Sequence, residues 1–236
     1  MIVFENFGLV KSRLPLLLNP KTYFWLFLNV IVLSYVISAL LPVISGVFDR
    51  LYIRKLADLT AYPLLVQFTI FLILFDFLKF GFHFLMHRNT FLWKIHSVHH
   101  SSKNINTLAS FKHSWLEAFL NLLLISSANR ILTAELPVLT TINTIMLSAC
   151  IWQHTDIRYF RIPLLEEIFV TPKHHRIHHE FRSDPKHSNY GLLFTIWDRL
   201  SGTFSKTESP LPKYGIAETD YPFASDVKQF FYPLIK

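Results

Sequence analysis

Twelve histidines occur in 236 residues, and nine of them sit in groups at helical spacing or beside one. The densest stretch is KHHRIHHE, Lys173 to Glu180, with His174, His175, His178 and His179 in six positions. On an α-helix, residues four apart share a face, so His175 pairs with His179 and His174 with His178. His175 and His178, three apart, can address one centre as well. A second pair, His83 and His87, lies four apart in GFHFLMHR. A third group, His96, His99 and His100, stands in KIHSVHH, where His99 and His100 each share a face with His96. His154 closes a long apolar run. Neutral imidazole is the commonest protein metal ligand. Histidines at this density point to metal rather than to scattered core or surface rings.

Nine imidazoles (His83, His87, His96, His99, His100, His154, His175, His178 and His179) exceed the four that a tetrahedral zinc takes. They fit two metals of five- or six-fold coordination, with positions left for water or oxygen. The chain has no Glu-x-x-His pair of the kind that builds carboxylate di-iron bundles. Its single cysteine, Cys150, excludes thiolate ligation and an internal disulfide. Imidazole suits iron, zinc, copper and nickel. Two irons beside apolar helices suit O2-dependent attack on an unactivated C–H bond of a lipid. The protein then positions a chain carbon and keeps water out.

The elements that must carry these groups are apolar. Hydrophobic residues make up 51% of the chain, Phe occurs 23 times, and only 17% of residues are charged, against about 25% in soluble domains. Thr22 to Phe48 is 27 residues without a charge, Leu59 to Phe75 is 17, and Leu136 to Thr155 is 20. A helical crossing needs about 20. The pattern predicts an all-α, polytopic membrane protein with about four membrane-embedded helices. These are a first span at Thr22–Phe48, a second from Leu59 to Phe82 that continues through His87, and a hairpin of Trp115–Leu132 and Leu136–Gln153. The hairpin's first arm is short for a full crossing. Pro63 falls in the first turns of span two, where proline is tolerated. Phe91 to Ser114 is polar and carries no span. Pro163 opens a further helix, and Pro172 interrupts it before the histidine stretch. The domain reading is an amphipathic lead-in at 1–21, then one membrane-embedded domain at 22–236, with the histidine groups within 83–179 and a polar, turn-rich cap at 181–236. Met1 to Leu18 lacks the pattern of a cleavable signal.

With both hairpin arms crossing, this topology puts every histidine group on one side of the membrane. That side also holds Lys11, Lys21, Lys79, Arg88, Lys94, Lys103, Lys112, Arg158, Arg161 and Lys173, against Arg50, Arg54, Lys55 and Arg130 opposite. The bias favours a cytoplasmic histidine-rich helical cap holding the dinuclear site, although Arg50, Arg54 and Lys55 run against it. The net charge of +7 reflects this loop charge. No basic helix or aromatic strip of a nucleic-acid binder is present. The shortness of the chain and the lack of a clear retention signal favour a bacterial inner membrane over the endoplasmic reticulum.

HFLMH, LWKIHSVHHS, TPKHHRIHH, NYG and WDRLSGTF together resemble the fatty acid hydroxylase/sterol desaturase superfamily, whose histidine boxes read HxxxH, HxxHH and HxxHH. The match runs from about Asp76 to Ser205. Within the superfamily, the TP-x-HHR-x-HH form is most similar to the alkylglycerol monooxygenase branch. The resemblance implies metal roles for His83, His87, His96, His99, His100, His175, His178 and His179. His154 matches the extra histidine that often precedes the third box. His113 matches a position where the family often reads arginine-x-histidine-proline-x-glutamate, but Phe111 and Ser114 depart from it, so a ligand role for His113 stays open. His174 lies outside the box register, and His187 is expected in the polar cap near Asn189. Asp76, Glu117 and Asp156 are candidates to accept the second N–H of ligand imidazoles; Asp76 and Asp156 read equally as helix-end charges. Asn189, Tyr190 and Gly191 are expected to form a turn that folds the cap over the metals, with Trp197 and Asp198 in the same lid.

The resulting expectation is an O2-dependent di-iron monooxygenase acting on a lipid or sterol-like substrate. Its electrons come from a separate donor protein or soluble reductant; the alkylglycerol analogy implies a pterin. A desaturase on the same site stays open, because the outcome depends on how the chain is positioned. A non-redox metal transporter is the reading from another class. It would place ionisable or histidine residues in mid-span, whereas here the histidines stand at helix ends. A membrane haem site has no need of five adjacent imidazoles.

Overall fold

The computed structural model describes residues 39–40, 42–43, 46–50, 55–156, 163–181 and 187–216. The expected lead-in at 1–21 and most of the expected first span lie outside the described residues. After a helical turn at 46–50 the helices are α1 (Leu64–Arg88), α2 (Thr90–His100), α3 (Trp115–Ile131), α4 (Leu136–Gln153), α5 (Pro163–Ile168), α6 (Pro172–His179) and α7 (Ile196–Leu200). Two short strands, β1 (Ala57–Asp58) and β2 (Leu132–Thr133), pair in parallel at the end of the molecule away from the histidines. The described residues are mostly helical, as the apolar pattern predicts.

Proline sets two of the helix starts. The second span was expected to begin at Leu59 and run through Pro63. Instead Leu59–Ala61 is a separate 3-10 turn, and Pro63 stands as the N-cap of α1. A residue preceding proline is driven out of the helical region, so the helix cannot continue backward through Tyr62. Pro172 likewise opens α6 at its first position, where its missing N–H costs nothing.

Among the described residues, α1 and α4 are long and apolar enough to cross a membrane. At 1.5 Å per residue α1 spans about 37 Å, and α3, with its 17 residues, about 25 Å. The hydrocarbon layer is about 30 Å, so α3 is the short arm that its sequence indicates. Leu64, Leu65, Ile70, Ile73 and Phe77 of α1, with Leu136 and Leu147 of α4, are exposed. A soluble helix would turn such side chains inward; here they form an apolar outer surface. The inner faces meet in a core of Leu59, Phe71, Phe75, Ala128, Ala134, Val138, Ile142 and Met146.

A single carboxylate ties α1 to the C-terminal layer. Asp76 is fully buried. It accepts the Leu193 N–H at 2.8 Å, the Phe194 N–H at 3.1 Å and the Trp197 indole N–H at 2.7 Å. It therefore contacts backbone and tryptophan, not a ligand imidazole, and it is not a helix-end charge. Asp76→Ala would strand three buried donors at roughly 1–3 kcal/mol each. The expected outcome is a loss of about 3 kcal/mol or more of stability, read as a lowered melting temperature of detergent-purified protein. An unchanged melting point would remove Asp76 from this role.

Candidate metal centre

The site is assembled from four helix ends. Asn89 makes the corner between α1 and α2. Its backbone N–H closes α1 on Leu85 at 2.9 Å, and its side chain caps α2 by accepting from the N–H groups of Phe91 (2.9 Å) and Leu92 (3.0 Å). That double cap folds the end of α2 back against α1. The last six residues of α2, Ile95 to His100, are all buried. His154 caps the C-terminus of α4, and α6 brings the third box.

The nine expected ligands come together as two sets. His83, His87, His96, His100 and His178 form one, and His99, His154, His175 and His179 the other; within each set the ligand nitrogens lie within 4.8 Å of one another. Each HxxHH helix serves both sets. α2 gives its i, i+4 pair, His96 and His100, to the first set and His99 to the second. α6 gives His175 and His179 to the second and His178 to the first. The three-apart pairings His96–His99 and His175–His178, which spacing allows on one face, are thus divided between the two.

The hydrogen bonds fix the tautomers. Backbone carbonyls accept from Nδ1 of His83 (Tyr190, 2.8 Å), His154 (Cys150, 2.8 Å), His178 (Ser188, 2.9 Å) and His99 (Lys112, 3.3 Å). In a neutral ring the other nitrogen, Nε2, is then a bare lone pair. Yet Nε2 of His154 faces Nε2 of His99 at 3.2 Å and Nε2 of His175 at 3.1 Å. Nε2 of His83 meets that of His96 at 3.1 Å, and His100 meets His178 at 3.1 Å. Burial, followed by the neighbouring imidazoles, pushes His99, His100, His175, His178 and His179 well below the usual histidine range. Burial lowers His154 to about 4. Where both rings give their Nδ1–H elsewhere, as in His99–His154 and in His83–His96 (His96 Nδ1 lies 3.0 Å from Glu117), a proton is a poor bridge between the two Nε2 lone pairs, and a cation is the fitting one. Two imidazoles at right angles on a metal with bonds of about 2.1 Å would sit roughly 3.0 Å apart, and roughly 3.4 Å apart at a tetrahedral angle. The observed spacing falls in that interval. Nδ1 of His175 and of His179 finds no hydrogen-bond partner in its buried position.

An outer layer holds the rings. Glu117 Oε1 lies 3.0 Å from His96 Nδ1 and 2.9 Å from His113 Nδ1. The His113 ring stacks on His99 with centroids 4.5 Å apart, and its Nε2–H donates to the Ser110 carbonyl at 2.9 Å. His113 is therefore beside the second set but outside it. His174 is outside both sets: its Nδ1 accepts from the Thr171 backbone N–H at 3.2 Å, completing a capping box for α6. His174→Ala is expected to keep its full metal content and lose about 1 kcal/mol of stability, read by metal analysis and thermal melting together. Asp156 lines a separate cavity.

The Asn189–Tyr190–Gly191 turn does close over the histidines. Asn189 takes φ 60°, a left-handed conformation that asparagine tolerates, and its amide bridges the His174 and Ser205 carbonyls. Asp198 accepts from the N–H groups of Tyr190 (2.8 Å) and Gly191 (2.7 Å). A Cβ on Gly191 would meet the Phe194 carbonyl at 2.8 Å, so only glycine fits there. The sequence reading treats this stretch as a surface cap. In the fold, Tyr190 is fully buried, its ring 5.2 Å from His87 and 5.6 Å from His178. His187 is buried as well, 4.8 Å from His87 and 5.1 Å from His100 between centroids, with its Nδ1–H donating to the His178 carbonyl. Its place in the wall was missed because it follows no box spacing. The one clue is its nearness to Asn189.

Residues 68–203 match the model of the fatty acid hydroxylase family. The chain belongs to that family. Relatives of known name are similar over about two thirds of the chain. An ornithine lipid hydroxylase, OlsE, of Rhizobium tropici is 28% identical over 63% of this chain and 45% of its own length. The alkylglycerol monooxygenase of Homo sapiens is 28% identical over 66% of this chain and 34% of its own. The lathosterol oxidase of Homo sapiens is 28% identical over 68% of this chain and 54% of its own. The chain thus matches about a third to a half of these relatives' lengths. No solved structure matches it significantly. Family membership and the two apolar helices together mark a membrane protein whose relatives oxidise lipids.

Proposed function

We propose that this fatty acid hydroxylase relative is a membrane-bound di-iron monooxygenase that hydroxylates an unactivated C–H bond of a lipid. The observation that carries the reading is the facing Nε2 lone pairs of His99 and His154, together with the same arrangement in the first set. His83, His87, His96, His100 and His178 would hold one iron, and His99, His154, His175 and His179 the other. Two irons bound there would supply the redox chemistry that activates O2. The names of the relatives, a lipid hydroxylase and an alkylglycerol monooxygenase, support hydroxylation of a lipid.

The chain's own residues do the positioning. Carbonyls of Tyr190, Cys150, Ser188 and Lys112 hold four rings in the tautomer that presents Nε2 inward. Tyr190, Trp93 and His187 wall the first set, with the Trp93 ring 5.0 Å from His87, and so limit water. The reading extends to a first span within 22–48, two membrane arms α3 and α4, and the histidine side in the cytoplasm. Electrons would come from a separate protein or a soluble reductant.

The test is metal analysis and product analysis on detergent-purified protein grown with iron. The expected result is about two irons per chain, both lost to a strong chelator, with an O2-dependent hydroxylated lipid formed only by the loaded protein. A protein that binds no more than one metal per chain and oxidises no lipid after anaerobic Fe(II) loading would sink the proposal.

A further inference from the structure

Outside the histidine sets, a cavity of about 440 Å³ opens between the segment after α2, the helix α6 and the segment 212–214. Its lining includes three cations, Lys103, Arg176 and Lys213, and the carboxylate of Asp156. Its walls are built rather than incidental. The Phe181 N–H donates to the Lys213 carbonyl at 2.7 Å, and Glu180 and Tyr214 form an antiparallel bridge, which fixes this segment beside the end of α6. Gly215, at φ 101°, packs so closely on Lys103 that a Cβ would stand 3.3 Å from its Cγ.

Arg176 decides what the cavity suits. It belongs to the third box but is in neither histidine set. Its side chain is only 4% exposed, and its Nε and Nη1 are buried without a hydrogen-bond partner. A guanidinium stays charged at any working pH and carries five donors in a rigid fork. Donors of a buried charge that go without hydrogen bonds are costly. Glu208 keeps its Oε1 3.8 Å from Nε, beyond hydrogen-bond reach, and is itself one-third exposed. An anion with several oxygens, a carboxylate or a phosphate, is the group that accepts from such donors. Lys103 and Lys213, both exposed at the rim, add positive charge at the entrance.

We propose that this cavity binds a phosphate or carboxylate group, with Arg176 as its buried anchor and Lys103 and Lys213 at its mouth. The group comes either from a lipid headgroup or from a free small anion. The binding does not depend on the oxygenase reading and is measured without turnover.

The experiment uses the full chain in neutral detergent. It measures binding of short-chain phosphatidic acid, of the matching diacylglycerol and of inorganic phosphate. Variants are Lys103→Ala/Lys213→Ala and Arg176→Met, with metal content and melting temperature checked alongside. Wild type is expected to bind phosphatidic acid saturably and at least ten times more tightly than the neutral diacylglycerol. The lysine pair should lose most of that preference while keeping its metal, and Arg176→Met should lose it entirely. Competition by inorganic phosphate at similar affinity identifies a free-anion site; phosphatidic acid binding without such competition identifies a headgroup site. Equal binding of charged and neutral lipid by wild type, or a preference that survives in the folded lysine variant, overturns the proposal. Because Lys103 and Lys213 lie outside α2 and α6, their variant remains informative if Arg176→Met fails to fold.

Discussion

His154→Ala is expected to leave a folded protein holding about one metal per chain, with turnover reduced by at least ~100-fold, the upper end of what outer-layer partners alone cost. The second set has four imidazoles, whereas the first has five. His154 is central to the smaller set, with Nε2 3.2 Å from His99 and 3.1 Å from His175. Its Nδ1–H is committed to the Cys150 carbonyl, so the ring cannot turn to serve another role. Removing it leaves three ligands at that position and none missing at the other. His83→Ala is the converse, costing the first set a ligand and sparing the second. Two metals per chain in both variants would refute the division into two sets, and near-wild-type turnover in either would remove that residue from the reaction. A matched loss of both metals in each variant would show instead that the sets form cooperatively. The metal count should therefore be read at several metal concentrations.

The helices that carry the ligands were legible because their boundaries follow local chemistry. Trp115–Leu132 and Leu136–Gln153 were expected, and Trp115–Ile131 and Leu136–Gln153 are observed. Glu135 and Pro137 mark the second start, and the first arm stops where the chain turns into a two-residue strand. Eight of the nine clustered histidines were legible because helical spacing groups them, and His154 because it closes an apolar run. Their division was not. Spacing of three and spacing of four both place rings on one face, 60° and 40° apart. Which of the two shares a centre depends on how α2 and α6 face each other, a tertiary fact. Asn89 decides half of it by folding α2 onto α1, and a single asparagine between two apolar stretches does not announce a corner. Asp76 was misread for a related reason. A carboxylate near the end of a span suggests a ligand orienter or an interfacial charge. Its partners are the backbone of Leu193 and Phe194, more than a hundred positions away, and no local pattern encodes them. His187 was assigned to the polar cap because its neighbours in sequence are polar, and Tyr190 was expected in a turn over the metals without a place among the rings. The turn at Asn189 carries them inward.

The same tertiary logic makes Glu117 the outer-layer residue with the largest expected effect. α3 supplies no ligand, yet its first turn places this carboxylate where it serves both sets. Oε1 contacts His96 directly, and it contacts His113, whose ring stacks on His99. Ser114 holds the acid in position by capping α3 at the Glu117 N–H. A carboxylate behind a ligand imidazole fixes its tautomer and raises its basicity, and losing it commonly costs 10–100-fold in metal affinity or activity. Glu117→Ala is therefore expected to weaken metal binding by about that factor at the first set, with a smaller effect at the second. Glu117→Gln keeps an oxygen acceptor but not the charge, and should fall between. A readout that bulk destabilisation would not mimic is the titration of His113. Burial opposes its protonation, but the charge of Glu117 and the hydrogen bond to it outweigh burial and raise its pKa. In Glu117→Gln the opposing burial remains and the charge is gone. His113 should then lose its proton at lower pH than in wild type, as followed by NMR of the isotopically labelled ring. An unshifted His113 titration in Glu117→Gln, with wild-type metal affinity, would show that α3 only supports the site sterically.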